Sequence, residues 1–207
     1  MKKNFVVGLT GGIAGGKTLA ADIMAACGAY IIDADVVSRE ATAPGTSGAR
    51  ALAEAFPAAA KDGGADFDRR RLRDIVFSDT DALQRLDGIT HPLIIAETVR
   101  RLEAAAGLVV LVVPLLFESG METLCDYIVT VSCREETRIK RVMRRDTISE
   151  ELARDIMAAQ LTDEERERRA DAVLHNDGDR GAFRKEVEAL YRRLADKAAK
   201  AVASDGV

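Results

Sequence analysis

Aromatic residues are scarce in this 207-residue chain, at 4% of the sequence, and tryptophan is absent. A surface that stacks on nucleic-acid bases needs aromatic side chains, and one that follows the phosphate backbone needs an excess of positive charge. The formal net charge is −4. Both observations argue against nucleic acid as a partner.

Long apolar runs are also missing. No stretch approaches the roughly 18 consecutive apolar residues of a membrane-spanning helix. The basic start at Lys2 and Lys3 leads directly into a short strand and a glycine-rich segment, without the apolar core of a signal peptide. We therefore expect no membrane span and a cytoplasmic location.

Cysteine is the third scarce residue type, with Cys27, Cys125 and Cys133. An odd number without metal-ligand spacing favours small buried side chains over a disulfide framework. Apolar residues make up 47% of the chain and charged residues 31%, which is ordinary for a globular protein. The length suits one substantial core, or one core with a small appended subdomain.

The most informative segment is residues 11–18, which read G-G-I-A-G-G-K-T and match the phosphate-binding pattern G-x-x-x-x-G-K-[ST]. It lies between an apolar strand at 5–9 and a helix-like stretch that begins near Lys17. Glycines let successive N–H groups turn towards a phosphate, and the helix directs its positive end at the same anion. Lys17 can reach the β- and γ-phosphates, and the Thr18 hydroxyl suits Mg²⁺. A glycine-rich turn without a ligand is the alternative, which the strand and helix on either side disfavour.

Strand and helix signals alternate along the chain. Short apolar strands are predicted at 5–9, 30–32, 108–113, 127–131 and 172–174, with helical segments between them. The run at 108–113 is apolar on both faces, as a central parallel strand must be. These features predict an α/β fold with a five-stranded parallel sheet flanked by helices.

Two long insertions interrupt this alternation. The first, about residues 36–106, carries helical patterns at 47–56, 69–77 and 81–106 and is far longer than one crossover needs. We interpret it as a helical substrate-binding insertion, because open α/β folds bind ligands near that edge of the sheet. Decoration that only thickens the fold is the alternative.

The second insertion, about residues 134–169, is rich in basic side chains. Its apolar positions repeat with helical spacing, which predicts a helical hairpin able to act as a lid over the phosphate. Guanidinium groups match phosphate oxygens, so one or two of them, with Arg141 and Arg145 as candidates, are expected to stabilise charge during transfer. The remaining basic residues are expected to be solvated surface.

The motifs taken together resemble one known family. Its pattern is similar to the following segments of this chain: Gly8-Leu9-Thr10-Gly11-Gly12-Ile13, Ile32-Asp33-Ala34-Asp35, Arg39, His91-Pro92-Leu93-Ile94, Pro114-Leu115-Leu116-Phe117-Glu118, Arg141-Val142-Met143-Arg144-Arg145-Asp146, Ala159-Gln160 and Asn176. In this order, from about residue 4 to 180, they closely resemble the dephospho-CoA kinase family. The resemblance implies a P-loop kinase fold with a helical CoA-binding subdomain and a lid. It also implies transfer of the γ-phosphoryl group of ATP, with Mg²⁺, to the ribose 3′-hydroxyl of dephospho-CoA.

Nucleotide-binding residues follow from the loop and the resemblance. They are Gly11, Gly12, Ile13, Ala14, Gly15, Gly16, Lys17, Thr18, Leu19 and Asn176, with Thr18 as the metal ligand. Asn176 also fits an ordinary Asn-Asp-Gly turn. The family commonly has Gly-Ser where this chain has Ala14-Gly15. A contact from that serine hydroxyl is therefore lost, and we expect the backbone donors to preserve binding.

Acceptor-side candidates start with Asp33 and Asp35, which follow the second strand and would point to one face of an extended backbone. Asp35 matches the family's catalytic carboxylate and is assigned the acceptor hydroxyl. Asp33 either orients that hydroxyl, holds magnesium through water, or serves as a helix cap or turn residue.

Arg39, His91 and Glu118 are further candidates for substrate contact. Arg39 follows Asp35 by one helical turn and could bind substrate phosphate, with a surface ion pair to Glu40 as the alternative. His91 is assigned a helix-capping or substrate-contact role and not proton transfer. Glu118 either faces the site or is an exposed turn carboxylate.

Other functions remain open at the level of sequence. A kinase for a nucleoside monophosphate or shikimate would share the phosphate loop and the lid. A GTP-binding regulatory module is disfavoured because no Asn-Lys-x-Asp motif is present. A non-catalytic nucleotide-binding scaffold would make the acceptor carboxylates incidental. The sequence makes no prediction of oligomeric state.

Overall fold

The computed structural model describes residues 3–204 and divides the chain into two compact units. The sheet unit runs up to Asp33 and resumes at Leu102, and the helical unit is Ala34–Arg101. The segment predicted to be an insertion, about residues 36–106, overlaps the helical unit over most of its length.

Strands and helices alternate as the sequence predicts. The strands are β1 (Asn4–Thr10), β2 (Tyr30–Asp33), β3 (Ala60–Lys61), β4 (Asp66–Phe67), β5 (Gly107–Val112), β6 (Tyr127–Ser132) and β7 (Ala172–His175). The helices are α1 (Lys17–Ala26), α2 (Ala34–Ala41), α3 (Ser47–Ala55), α4 (Arg69–Ser78), α5 (Thr80–Ala104), α6 (Glu135–Asp146), α7 (Glu150–Ala158), α8 (Asp163–Arg169) and α9 (Arg180–Ser204). No helix among residues 3–204 is long and apolar enough to cross a membrane.

The sheet unit contains a five-stranded sheet in the order β2-β5-β1-β6-β7, with every neighbouring pair parallel. This confirms the predicted architecture. β5 is buried from Leu108 to Val112, which agrees with its apolar sequence on both faces. β1 lies between β5 and β6, so the segment that follows it leaves the centre of the sheet.

One face of the sheet is covered by α1 and α9. A stripe of apolar side chains at helical spacing in α9 is buried in the same core as Ile23 and Met24 of α1: Phe183, Val187, Leu190, Leu194 and Ala198. Burying a side chain of this kind stabilises a fold by about 1.5–3 kcal/mol. The stripe therefore anchors the chain's last helix to the sheet. α9 ends at Ser204, and residues 205–207 lie outside the described part.

The helical unit has a core of its own. Ala49, Leu52, Phe56, Phe67 and Leu72 are buried together. Predicted helices at 47–56, 69–77 and 81–106 correspond to α3, α4 and α5. The antiparallel pair β3-β4 was not predicted, because two-residue strands are too short to show an alternating pattern.

The basic segment at 134–169 forms three helices, α6, α7 and α8, and the predicted two-helix hairpin is wrong in that respect. Ser149 and Thr162 each accept a hydrogen bond from a backbone N–H three residues on, and so begin α7 and α8 separately. Ile139 and Val142 of α6 pack against Ala153 of α7. This apolar contact joins α6 to α7.

Candidate active site

The phosphate-binding loop, residues 11–18, connects the end of β1 to the start of α1. Gly11 has φ 146° and Gly16 has φ 113°, both in a region that favours glycine. A Cβ on Gly11 would collide with the carbonyl oxygen of Val131 on β6. Glycine is therefore required at position 11 by both the backbone angle and the available space.

Ala14 is a departure within this loop, because it adopts φ 57° with a side chain present. The left-handed region costs an L-residue roughly 1–2 kcal/mol. Ala14 and Ile13 pack against the buried cluster of α6 and α7. Packing from the basic segment thus helps to hold a conformation that the backbone alone disfavours.

Lys17 folds back onto the loop that precedes it. Its Nζ donates hydrogen bonds to the Gly11 carbonyl at 2.6 Å and the Gly12 carbonyl at 3.2 Å. The N–H of Gly15 also donates to the Gly12 carbonyl, at 3.1 Å. The ammonium group is therefore held inside the loop, where it can bind an anion.

Asn176, just after β7, holds the far side of the loop. Its Nδ2 donates to the Gly15 carbonyl at 2.7 Å, and a Cβ on Gly16 would collide with that amide group. In a trans peptide the C=O and the next N–H point in opposite directions. The bond from Asn176 therefore directs the Gly16 N–H away from Asn176, as an anion-binding loop requires.

Arg141 is brought to the same part of the loop. Its Nη1 donates to the Ala14 carbonyl at 3.3 Å, and its Nη2 donates to the Asn176 carbonyl at 3.1 Å. The predicted site residues Arg141 and Asn176 thus contact both the loop and each other. Arg141 also donates to Cys133, whose burial raises its thiol pKa to about 11.

Arg145 lies elsewhere on α6. Its side chain is exposed and forms a two-bond ion pair with the adjacent Asp146, at 2.8 and 2.7 Å. This guanidinium lowers the pKa of the Asp146 carboxyl below its usual value. Of the two arginines predicted to act on the transferring group, only Arg141 contacts the loop among the contacts of the described residues.

Two buried arginines at the loop were not assigned a role from the sequence. Arg138 and Arg166 both pair with Asp163, and a Cβ on Gly12 would collide with the Arg138 guanidinium. Burial lowers the pKa of Arg166, and the carboxylates of Asp163 and Glu118 oppose that shift. The sequence of a basic helix does not distinguish arginines that will be buried from those that will be exposed. The one available signal was Gln160, which was part of the family resemblance and contacts Arg166.

Thr18 and Leu19 occupy the first turn of α1. Thr18 is exposed, so its hydroxyl is available to a metal ion beside Lys17, and Leu19 packs on the core of the sheet unit. Within residues 3–204 there is no cluster of three or more His, Cys, Asp or Glu side chains that could hold a metal. In nucleotide-binding sites, Mg²⁺ takes most of its ligands from phosphate and water.

Asp33 and Asp35 lie in different units. Asp33 ends β2, opposite Val112 of β5, whereas Asp35 is exposed in the first turn of α2. The expectation that both point to one face of an extended backbone is wrong, because the helix begins at Ala34. Asp33 immediately precedes that helix.

Arg39 and His91 belong to the helical unit. Arg39 donates from Nε to the Asp35 carbonyl at 3.1 Å, which confirms that the two lie one turn apart. Glu40 forms its ion pair with Arg101. His91 is exposed in the middle of α5, which continues through Pro92, so the capping alternative for His91 is wrong.

Glu118 is exposed and belongs to the sheet unit. Its Oε1 accepts a hydrogen bond from the backbone N–H of Leu161 at 3.1 Å, between α7 and α8. Glu118 therefore contacts the basic segment and is more than a free turn carboxylate. Its carboxylate also lies near enough to the buried Arg166 guanidinium to stabilise that charge.

The loop can bind a polyanion. It combines a helix N-terminus, an ammonium group held in place and carbonyl groups fixed by Asn176 and Arg141. Chemistry at such a site consists of positioning a phosphoryl group and neutralising its charge.

Comparisons with known proteins agree with this geometry. The family model for dephospho-CoA kinase matches residues 5–181. A dephospho-CoA kinase of Burkholderia lata is 43% identical over 95% of this chain and 99% of its own, and one of Chromobacterium violaceum is 44% identical over 90% and 92%. The solved dephospho-CoA kinase from Campylobacter jejuni has a TM-score of 0.72 at 26% identity, covering 94% of this chain and 98% of that one. This chain belongs to the dephospho-CoA kinase family.

Proposed function

We propose that this protein transfers the γ-phosphoryl group of ATP to the ribose 3′-hydroxyl of dephospho-CoA and releases coenzyme A and ADP, the last step of coenzyme A synthesis. The observation that carries the proposal is the phosphate-binding loop, with Lys17 held against the Gly11 and Gly12 carbonyls. Family membership supplies the acceptor.

On the nucleotide side, residues 11–19 hold the phosphates of ATP, and Asn176 keeps the Gly15–Gly16 peptide in its binding orientation. Lys17 contacts the β- and γ-phosphate oxygens while the Gly12 carbonyl keeps its ammonium group in place. The positive charge of Lys17 then stabilises the negative charge that develops on the leaving group during transfer. Thr18 would hold Mg²⁺, which neutralises charge between the β- and γ-phosphates when bound.

On the acceptor side, Asp35 accepts the hydrogen bond of the ribose 3′-hydroxyl and takes its proton. Its place in the first turn of α2 favours the ionised carboxylate, because the positive end of the helix dipole lies there. Asp33 orients the same hydroxyl. Arg39, His91 and Glu118 contact the rest of the substrate.

The helical unit binds dephospho-CoA in this proposal. It contains a cavity of about 490 Å³ lined in part by Leu93, Glu97 and Arg100. That volume lies within the usual range for small-molecule sites, about 300–1,000 Å³. Residues 134–169 act as the lid, and Arg141 and Arg145 stabilise the transferring phosphoryl group.

A coupled assay with ATP, Mg²⁺ and dephospho-CoA tests the proposal, with product coenzyme A identified by mass. We expect coenzyme A and ADP in equal amounts. Lys17→Ala should weaken ATP binding and turnover without changing thermal melting, and the exposed Lys185→Ala on α9 serves as the matched control. If a nucleoside monophosphate or shikimate stimulates ADP formation and dephospho-CoA does not, the proposed acceptor is wrong.

A further inference from the structure

Gln160, in the connection between α7 and α8, reaches the phosphate-binding loop across 147 positions of sequence. Its Oε1 accepts the backbone N–H of Ile13 at 3.1 Å. The same oxygen accepts a hydrogen bond from Arg166 Nη2 at 3.5 Å. Two donors converge on one atom, so the amide must present its oxygen and not its NH₂ group to the loop.

Arg166 is itself fixed. Its side chain is 2% exposed, and its Nη1 donates to Asp163 Oδ1 at 2.8 Å. The other oxygen of Asp163 pairs with Arg138, whose guanidinium fills the space beside Gly12. The amide of Gln160 is therefore oriented by a buried group that is already held at the loop.

The Gly12–Ile13 peptide is consequently held from both sides. Its N–H faces Gln160, while its carbonyl accepts Lys17 Nζ at 3.2 Å and the Gly15 N–H at 3.1 Å. The peptide is planar and trans, so rotating the N–H away from Gln160 would also turn the carbonyl away from Lys17.

We propose that Gln160 is a positioning residue for phosphoryl transfer: by holding the Ile13 N–H, it fixes the Gly12 carbonyl that places the Lys17 ammonium group. This inference rests on the proposed function, and it adds a role in that reaction for a side chain of the lid that acts through the backbone of the loop. Position 160 requires an oxygen atom that can accept the Ile13 N–H. Glutamate supplies such an atom and can replace glutamine, whereas alanine cannot.

The test compares Gln160→Ala and Gln160→Glu with Gln84→Ala, the matched control at an exposed glutamine of α5. Gln160→Ala should lower kcat at least about tenfold and leave the KM for dephospho-CoA within about twofold, because Lys17 acts on the transferring group. Gln160→Glu should recover most of kcat, and Gln84→Ala should match the parent. Parental kcat in Gln160→Ala, or a Gln160→Glu enzyme as slow as Gln160→Ala, would overturn the proposal.

Amide hydrogen exchange of Ile13 in nucleotide-free, ¹⁵N-labelled enzyme gives a readout that is independent of turnover. Exchange should be at least about tenfold faster in Gln160→Ala than in the parent, and close to the parent in Gln160→Glu. Equal exchange rates in all three proteins would show that Gln160 does not hold the Ile13 N–H, and would overturn the proposal. If the parent forms no coenzyme A, the proposed function fails while this measurement still decides whether Gln160 holds the loop.

Discussion

The phosphate-binding loop and the helical unit present their candidate residues in opposite ways. In the loop, the peptides around Lys17 are fixed by side chains from distant parts of the chain, such as Arg141, Gln160 and Asn176. In the helical unit, Asp35 and His91 are exposed. The nucleotide side is thus held in place by contacts within the protein, whereas the acceptor-side residues Asp35 and His91 face solvent.

Asp35→Asn carries the largest expected effect and tests the acceptor side of this comparison. Asparagine keeps the size and a carbonyl acceptor but removes the charge and the proton affinity. General-base contributions are typically about 10² to 10⁴ in rate, so coenzyme A formation should slow at least about a hundredfold. Because Asp35 is exposed in the first turn of α2, loss of its charge should lower stability by at most about 0.3–1 kcal/mol and leave ATP binding unchanged.

Asp33→Asn is the matched control, two positions earlier at the end of β2. We expect a milder loss of turnover, since Asp33 orients the hydroxyl but does not take its proton. Near-parental turnover in a folded Asp35→Asn enzyme would remove Asp35 from the mechanism. The search for a base would then move to Glu118.

The second expected effect separates two arginines of α6. Arg141 contacts the Ala14 carbonyl, whereas Arg145 pairs with Asp146 at the surface. Arg141→Ala should lower turnover at least about tenfold, roughly 1.4 kcal/mol of transition-state stabilisation, and lower ATP affinity less. Steady-state kinetics with a separate nucleotide-binding measurement distinguishes the two quantities.

Arg144→Ala, an exposed position on the same helix, controls for the loss of one positive charge. The turnover of Arg145→Ala should lie between those of Arg141→Ala and Arg144→Ala, because Arg145 must leave Asp146 before it can reach phosphate. If Arg141→Ala and Arg145→Ala both retain parental turnover, the basic face of α6 is only surface.

The sheet and the loop could be predicted because their signals are local. An apolar run such as 108–113 and the spacing of Gly11, Gly16 and Lys17 need no knowledge of the rest of the chain. The course of the chain after β2 could not be predicted in the same way. Asp33-Ala34-Asp35 fits a strand end and a helix start equally well, and the structure places the boundary between Asp33 and Ala34.

The contacts of the loop were also beyond sequence reasoning. Arg138 and Arg166 are buried at Gly12 through a shared Asp163, while Arg145 on the same helix as Arg138 is exposed. Helical spacing alone gives all these arginines similar surroundings. Only the packing of α6 and α8 near the loop distinguishes them. The position of His91 could not be predicted either, because a proline at position 92 usually marks a helix end, whereas α5 continues through it.

The smallest expected effect concerns Ala14, the loop residue with positive φ. Glycine removes a left-handed penalty of roughly 1–2 kcal/mol, but it also adds unfolded-state entropy worth about 0.4–1 kcal/mol. Ala14→Gly should therefore raise stability by only about 0.5 kcal/mol, or roughly 1–2 °C in Tm.

Thr147→Gly provides the comparison, because Thr147 ends α6 with φ 55° and its side chain is exposed. A β-branched residue is a poorer fit to this region than alanine, so the gain in Tm should be larger there. The effect on ATP affinity should be larger in Ala14→Gly than in Thr147→Gly, the opposite of the order expected for Tm. Ala14→Gly alters a peptide that Arg141 holds for phosphate binding, whereas Thr147→Gly leaves the loop unchanged. A change in ATP affinity at Thr147→Gly and none at Ala14→Gly would contradict the view that the loop's contacts hold it in its binding conformation.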